Sequence, residues 1–380
     1  MPETLSAPAA QAAGDDSWTR REILQQPDTL RETQAVLRDD RSAIEAFLFP
    51  LLARDNLRII LTGAGTSAFI GESIAPWLSA VLGRPVEAIA TTDIVSAPTL
   101  YLRGDVPTLL VSFGRSGSSP ESVAAVDLVD TLVGKAHHLV ITCNADGALA
   151  KRAGGDTHVV VLPEATHDRA FAMTSSFTAM MFAALSIFSG IETMDARFDA
   201  IADAVTATLA AADRPMAELA ARGFERVVYL GSGLFKGLAR EAALKLLELT
   251  DGTVVTAFDT ALGFRHGPKT IVNNRTLVVA FVSNDPLTRR YDLDIIQELR
   301  ADNLCGAVLA ISAQPIDGEA LVVPGLQHAA DAELLFPFIA PAQLFGLHYA
   351  LHLGRTPDTP NATGAVNRVV QGVRIHDFAA

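Results

Sequence analysis

Leu57-Arg58-Ile59-Ile60-Leu61-Thr62-Gly63-Ala64-Gly65-Thr66-Ser67 decides the fold. Leu57–Leu61 is a short apolar run that ends in a glycine turn, and the residues after it read as a helix to Leu82. Strand, glycine turn and helix in that order open a doubly wound α/β unit. Val86–Ala90, Thr108–Phe113 and His138–Thr142 read as further buried strands, each followed by a helix signal. Continuous Val/Ile/Leu runs of this kind suit a parallel sheet covered on both faces.

The pattern then recurs. Gly63 and Gly231 lie 168 positions apart, and the same offset carries Thr108–Phe113 onto Thr276–Phe281, Val86 onto Val254 and Val140 onto Val308. One offset shared by four strands implies two tandem copies of one flavodoxin-like α/β domain. A helical, Ala-rich stretch, Met194–Gly223, joins them. The expected layout is a disordered tail over residues 1–16 and N-terminal helices over 17–54. A first domain over 55–193, a second over 194–355 and a tail over 356–380 that closes over the site complete it. A chain of 380 residues is long enough for two domains of ordinary size.

Composition narrows the function. The chain is 49% hydrophobic and 19% charged, with a net charge of −13. That balance argues against a nucleic-acid surface, which needs clustered Lys and Arg. An anionic substrate would have to be held locally, by backbone N–H groups, hydroxyls and an arginine. Cys143 and Cys305 end apolar runs and make no metal or disulfide pattern, which fits a reducing cytoplasm. Residues 1–16 have no basic or apolar segment of a signal peptide. No apolar run is expected to approach the ~20 residues of a membrane span, so a soluble protein is expected.

Ser17-Trp18-Thr19-Arg20-Arg21-Glu22 reads as a helix start capped by Ser17 or Thr19, with Glu22 at capping-box spacing from Thr19. That helix should break at Pro27, and a second should run to about Arg54. Trp18 and Arg20 serve the scaffold or cover a site on a partner subunit.

Two loops of the first copy carry hydroxyls. Gly65-Thr66-Ser67 follows the first strand, and Gly114-Arg115-Ser116-Gly117-Ser118-Ser119-Pro120 follows Thr108–Phe113. Pro120 suits the first position of a helix and Ser119 its N-cap. Each loop alone is an ordinary helix-capping turn. Together, at the carboxyl ends of strands in an open α/β sheet, they make a phosphate cradle, with Arg115 adding a two-pronged donor. The matching loop of the second copy, Val282–Pro286, has lost the cradle and gained Asp285, so it should hold no phosphate. Ala172–Phe177 is another Ser/Thr cluster opening a helix, where Thr174 and Ser175 could touch a sugar.

The second copy offers chemistry instead. Gly237–Glu248 is a strong helix former, apolar almost all round, yet it places Glu241, Lys245 and Glu248 at i, i+4 and i+7 on one stripe. A surface Glu–Lys pair would explain two of them. The loop Gly263-Phe264-Arg265-His266-Gly267-Pro268-Lys269 adds an imidazole, and the four groups make an acid–base set.

These motifs resemble the sugar isomerase (SIS) family of phosphosugar-binding domains over essentially the whole chain. The matching residues are Gly63–Ser67, Ser116–Ser119, Glu241–Glu248 and His266–Pro268. Ser17–Ile23, Ser112–Ser122 and Gly364–Val370 further resemble the bacterial galactosamine-6-phosphate deaminase/isomerase group, also labelled tagatose-6-phosphate ketose/aldose isomerase. The resemblance implies a homodimer with its active site at the subunit interface. Gly65, Thr66, Ser67, Arg115, Ser116, Ser118 and Ser119 would hold phosphate, and Glu248 would move a proton between C1 and C2. His266, from the neighbouring subunit, would help open the ring, while Glu241 and Lys245 set the charge around the base. Gln371 stands where the similar glucosamine-6-phosphate synthases carry a tail lysine, Gly114 where they carry a serine and Arg115 where they carry a glutamine.

The expected function is conversion of galactosamine 6-phosphate to tagatose 6-phosphate and ammonia, with no metal and no cofactor. Burial in an apolar helix should raise the pKa of Glu248 toward that role. A ketose/aldose isomerase of a neutral or gluco-configured sugar phosphate is the nearest enzymatic alternative. The synthase reaction is disfavoured by a Pro/Ala-rich start with no N-terminal cysteine nucleophile. A sugar-phosphate sensor without turnover is the alternative of another class, and the absence of a basic helix-turn-helix speaks against it.

Overall fold

A computed structural model describes residues 16–152, 154–370 and 372–378. The tail expected over residues 1–16 lies outside the described residues except for Asp16, and so does Gln371. The chain divides into two compact units, each discontinuous in sequence. One gathers Asp28–Asp168, Ser175–Ala196 and Ala365–Ala380; the other gathers Met1–Pro27, Arg169–Thr174 and Arg197–Gly364.

The first of these holds a five-stranded parallel sheet: β1 (Arg58–Thr62), β2 (Val86–Ala88), β3 (Thr108–Gly114), β4 (Ala136–Thr142) and β5 (Thr157–Val161). Their order is β2-β1-β3-β4-β5. The other unit holds β6 (Arg226–Gly231), β7 (Val255–Asp259), β8 (Thr276–Val282), β9 (Ala307–Ser312) and β10 (Ala320–Val322), in the order β10-β9-β8-β6-β7. Read from the opposite edge, this is the same flavodoxin-like order. The fold class is therefore two doubly wound parallel sheets flanked by helices.

β3 and β8 are buried along their full length, as continuous apolar runs require. Each sheet packs one face on the helix that follows its central strand. Ile60, Leu110 and Val140 meet Val126 and Val129 of helix Pro120–Leu132. Val228, Val278 and Ala310 meet Ile295, Ile296 and Leu299 of helix Pro286–Asp302.

The offset of 168 holds for β1 with β6 and for β3 with β8, but slips elsewhere. Ile59 pairs with Val86 and Val227 with Thr256, so Val86 matches Thr256 rather than Val254. Ser112 pairs with Val140 and Ala280 with Ala310, so Val140 matches Ala310 rather than Val308. The slip is two residues in both places. Side chains alternate with a period of two, so a two-residue slip keeps every side chain on its own face.

The N-terminal helices also differ from expectation. They are Trp18–Leu24, Gln26–Asp39 and Arg41–Leu52, so the second expected helix is split at Asp40. Pro27 lies in a first helical turn, where its missing N–H costs nothing, instead of ending the helix before it. Ser17 is the cap, accepting from Arg20 N, and no capping box forms. Thr19 N and Oγ1 both donate to Asp358, each at 2.8 Å, and Trp18 N donates to the same carboxylate at 2.9 Å. The turn-rich stretch around Asp358 thus helps cap the first helix. Glu22 accepts from Arg169 N and Ala170 N. Arg20 forms a two-pronged pair with Asp213, which gives it a scaffold role within this unit.

One expectation is overturned by helix Asp331–His352. It has 22 residues and by length and composition is apolar enough to cross a membrane. Its apolar window is 89% buried inside the protein, as expected of a core helix. It lies against helix Phe235–Leu249, where the Phe338 and Phe235 rings meet at a tilt with centroids 5.1 Å apart and Gly346 permits close approach to Leu249.

Candidate active site

In the first-sheet unit, the loops after β1 and β3 emerge side by side, because these strands are neighbours paired as far as Thr62 with Ser112. The sheet order reverses between β1 and β3, and open α/β sheets bind ligands at such a switch point. Gly63 is obligatory there: a Cβ would stand 2.6 Å from the Ser67 backbone. Gly65 adopts φ +55° as it opens helix Thr66–Leu82. Thr66 and Ser67 are buried in the first turn.

The second loop is braced from below. Asn144 Nδ2 donates to Ser116 O at 3.0 Å, and Thr142 Oγ1 donates to Gly114 O at 2.7 Å. Ser118 Oγ accepts from Ala148 N at 3.0 Å. Ser119 occupies the N-cap and Pro120 the first turn of helix Pro120–Leu132, as expected. The Ser119 hydroxyl donates to Ser122 Oγ at 2.6 Å instead of capping. The buried Arg115 guanidinium reaches the C-terminal segment, with Nη2 donating to Arg368 O at 2.7 Å. Arg368 Nε in turn donates to Asp168 O at 2.9 Å. The structure therefore brings Gly65, Thr66, Ser67, Arg115, Ser116, Ser118 and Ser119 into two adjoining loops.

Of the residues expected to touch sugar, Ser175 is fully buried and donates its hydroxyl proton to Asp168. Ser176 donates to the same carboxylate through N, at 2.9 Å, and Oγ, at 2.6 Å. Thr174 is also fully buried.

In the other unit, helix Phe235–Leu249 is buried along the stripe that carries the charges. Glu241 is 0% exposed, and the side chains of Lys245 and Glu248 are 1% and 23% exposed. Lys245 Nζ lies 2.5 Å from Glu248 Oε2 and 3.4 Å from Glu241 Oε1. A surface Glu–Lys pair does not describe this arrangement. A buried ammonium links two carboxylates, one fully enclosed and one reaching the surface. Glu248 thus meets an ammonium and solvent, and not the wholly apolar surroundings its helix suggests.

His266 takes no part in these bonds. It is exposed, at the end of the short 3₁₀ turn Gly263–Arg265. Its loop is pinned to helix Pro286–Asp302: Arg265 Nε donates to Glu298 at 2.8 Å, and Lys269 Nζ contacts Glu298 and, at 2.6 Å, Asp302.

The loop after β8 is filled by the chain's own carboxylates. Asp285 caps helix Pro286–Asp302, accepting from Leu287 N and Thr288 N, and those hydrogen bonds hold it below the usual carboxylate range. Asp292 accepts from Ser232 Oγ at 2.6 Å and Ser283 N at 3.1 Å; burial pushes its carboxyl up to about 6. Asp331 accepts from Ser283 Oγ and from Asn284 N. Three carboxylates thus occupy donors around this loop.

Both thiols lie outside this chemistry. Burial pushes Cys143 up to about 12 and Cys305 up to about 11, so neither is a ready nucleophile. Among the described residues no cluster of His, Cys, Asp and Glu could hold a metal ion.

The SIS domain model matches residues 51–189. Over 387 aligned residues, covering 100% of both chains, the sequence is 48% identical to the D-galactosamine-6-phosphate deaminase AgaS of Escherichia coli. The chain belongs to the SIS domain family. It is also 47% identical to the D-galactosamine-6-phosphate deaminase AgaS of Shewanella sp. (strain ANA-3), over 95% of this chain and 92% of that one. The crystal structure of tagatose-6-phosphate ketose/aldose isomerase from Escherichia coli superposes with a TM-score of 0.90 at 46% identity, over 97% of this chain and 98% of that one. The family resemblance drawn from the motifs is borne out along the full length of the chain.

Proposed function

We propose that this chain is an amino-sugar-6-phosphate deaminase/isomerase that converts galactosamine 6-phosphate and water to tagatose 6-phosphate and ammonia. The observation that carries the reading is Glu248, a carboxylate at the surface end of a buried charged stripe whose ammonium holds it in place. Sequence identity of 48% and 47% to two proteins named D-galactosamine-6-phosphate deaminase supports the choice of substrate.

Ser67, Arg115, Ser116 and Ser119, with the N–H groups of Gly65, Thr66 and Ser118, would bind the phosphate. His266 would pass a proton to the ring oxygen as the C1–O5 bond opens. Glu248 would take the proton from C2 and return it at C1, while the amine gives up one proton and O1 gains one, turning the amino aldose into a C2 imine with a C1 hydroxyl. Water adds to that imine and ammonia leaves, which balances the reaction. One base suffices, since both carbons lie on one face of a planar intermediate. Lys245 and Glu241 fix the charge beside it. Thr174, Ser175 and Gln371 remain candidates for the sugar hydroxyls.

The exposure of His266 favours a homodimer in which each imidazole serves the neighbouring subunit. We assign phosphate binding to the first-sheet unit and proton transfer to the other, as a tandem duplication whose copies have divided the work. A cytoplasmic enzyme fits the two unpaired thiols.

A second reading, plain ketose/aldose isomerisation, is favoured by the name of the Escherichia coli crystal structure. Ammonia release from galactosamine 6-phosphate and glucosamine 6-phosphate, with wild type and Glu248→Gln, separates the two. Ammonia from the galacto sugar, lost in the variant, is the expected result. Interconversion of tagatose 6-phosphate with its aldose, without ammonia from either amino sugar, would favour the second reading.

A further inference from the structure

A groove of about 580 Å³ runs along helix Pro286–Asp302, and none of its lining residues belongs to the proposed catalytic set. Its floor is a helical stripe, Arg289, Leu293, Ile296 and Arg300, at i, i+4, i+7 and i+11. The two arginines are thus about 16 Å apart along the axis, three turns up the same face. The loop carrying Ile316 and Asp317 walls the other side. The volume is that of a small-metabolite site.

The electrostatics are unusual for an acidic protein. Arg289 donates to Ser283 O, Ser312 Oγ and Pro315 O. Arg300 donates to Asp317 O, Val308 O and Glu319 O. Every partner is a carbonyl or a hydroxyl, and among the described residues no carboxylate lies within ion-pair distance of either guanidinium. Asp292 acts on Arg289 only at longer range, and burial holds Arg289 below the usual arginine range. Each guanidinium has five N–H groups, of which these bonds use three. Two fixed cations without an ion-pair partner therefore keep donors in reserve, at the ends of an aliphatic floor. Asp317 supplies an acceptor for hydroxyl groups on the rim.

We propose that this groove is a second ligand site, taking a phosphorylated, hydroxyl-bearing metabolite of sugar-phosphate or nucleotide size. A guanidinium takes the phosphate, Asp317 accepts from hydroxyls, and Leu293, Ile296 and Ile316 cover the apolar face of the ligand. The assignment is independent of the reaction proposed above.

The test removes the other phosphate site first. In a full-length Ser67→Ala/Ser119→Ala background, calorimetry with tagatose 6-phosphate, uridine monophosphate and inorganic phosphate should leave binding of at least one organic probe. Adding Arg300→Gln should weaken it by about tenfold, the worth of a charge-assisted pair. That change also frees the 315–319 loop, so a second variant is needed. Leu293→Trp fills the floor while leaving both guanidiniums and their carbonyl bonds in place. It should abolish the residual binding, yet leave turnover unchanged when placed alone in the wild-type chain. No organic probe bound in the cradle-deficient background, or residual binding indifferent to Leu293→Trp, would overturn the proposal. Inorganic phosphate bound alone would also overturn it, as a bare cation site.

Discussion

Lys245 is the single side chain on which the charged stripe depends. Its ammonium lies between Glu241, wholly enclosed, and Glu248, partly exposed. Lys245→Met keeps the volume but removes a buried ammonium from beside two carboxylates, which should cost about 3–5 kcal/mol. Adding Glu241→Gln should recover much of the loss, and urea denaturation of the single and double variants measures both. Asp292 makes a prediction of the opposite kind. Its carboxyl is raised to about 6 in the folded state, above its ordinary value of 3.8. The folded chain therefore holds a proton that the unfolded chain releases across that window, so this group's contribution to stability falls as pH rises from about 4 to 6. Asp292→Asn can accept from Ser283 N through Oδ1 and donate to Ser232 Oγ through Nδ2, so its melting temperature should exceed wild type at pH 7.5 and approach it at pH 4.5. Equal differences at the two pH values would refute this. The stripe was legible because i, i+4 and i+7 lie within one helix. Asp358 was not, because Thr19 lies hundreds of positions away and nothing local marks an acid as a distant helix's cap.

Among the elements, helix Pro286–Asp302 serves two purposes on two faces. One face floors the groove, and Glu298 and Asp302 on another hold the loop that bears His266. Partly exposed ion pairs add little stability, about 0–1 kcal/mol. Glu298→Gln should therefore leave the melting temperature within a degree or two of wild type. It should still lower kcat/KM for the amino sugar by about fivefold by loosening the loop, with faster amide exchange across residues 263–271. Unchanged kcat/KM would show that the pairs do not position His266. Helix Phe235–Leu249 depends on close approach: a Cβ at Gly346 would stand 2.9 Å from Leu249 Cδ1. Gly346→Val should cost about 1–3 kcal/mol by overpacking, seen as a lower denaturation midpoint. At this scale the sequence showed most strands and both hydroxyl-bearing loops of the first sheet. It missed β5 and β10, because Thr157–Val161 is only partly buried and Ala320–Val322 spans three residues, too few for a period to register. It also joined two helices across Asp40, since the apolar pattern continues on both sides of the break.

For the molecule as a whole, the repeat was readable because each sheet needs its central strand buried on both faces, which constrains composition strongly. β3 and β8 accordingly keep the 168-residue offset, while β2, β4 and their counterparts drift by two where the crossover connections differ. The loops of the two sheets differ where no packing rule constrains them. The first sheet's loops carry Ser67, Ser116, Ser118 and Ser119, and the second sheet's matching loop is engaged by Asp285, Asp292 and Asp331. Asp285 was visible in the sequence. The other two were not, since they reach the loop from one helix later and from the start of the last helix.

Helix Asp331–His352 has one more consequence, for synthesis. It follows every strand of both sheets in the chain, so β6 to β10 leave the ribosome before the segment that covers them. Until it arrives, Phe235 and Phe281, which flank Phe338 in the finished protein, have no third ring to meet. A nascent chain stopped before Asp331 exposes a broad aromatic face. The missing segment is itself greasy enough to be taken for a membrane anchor when it emerges unpartnered. The window between these two events is when a chaperone has most to gain by holding this protein.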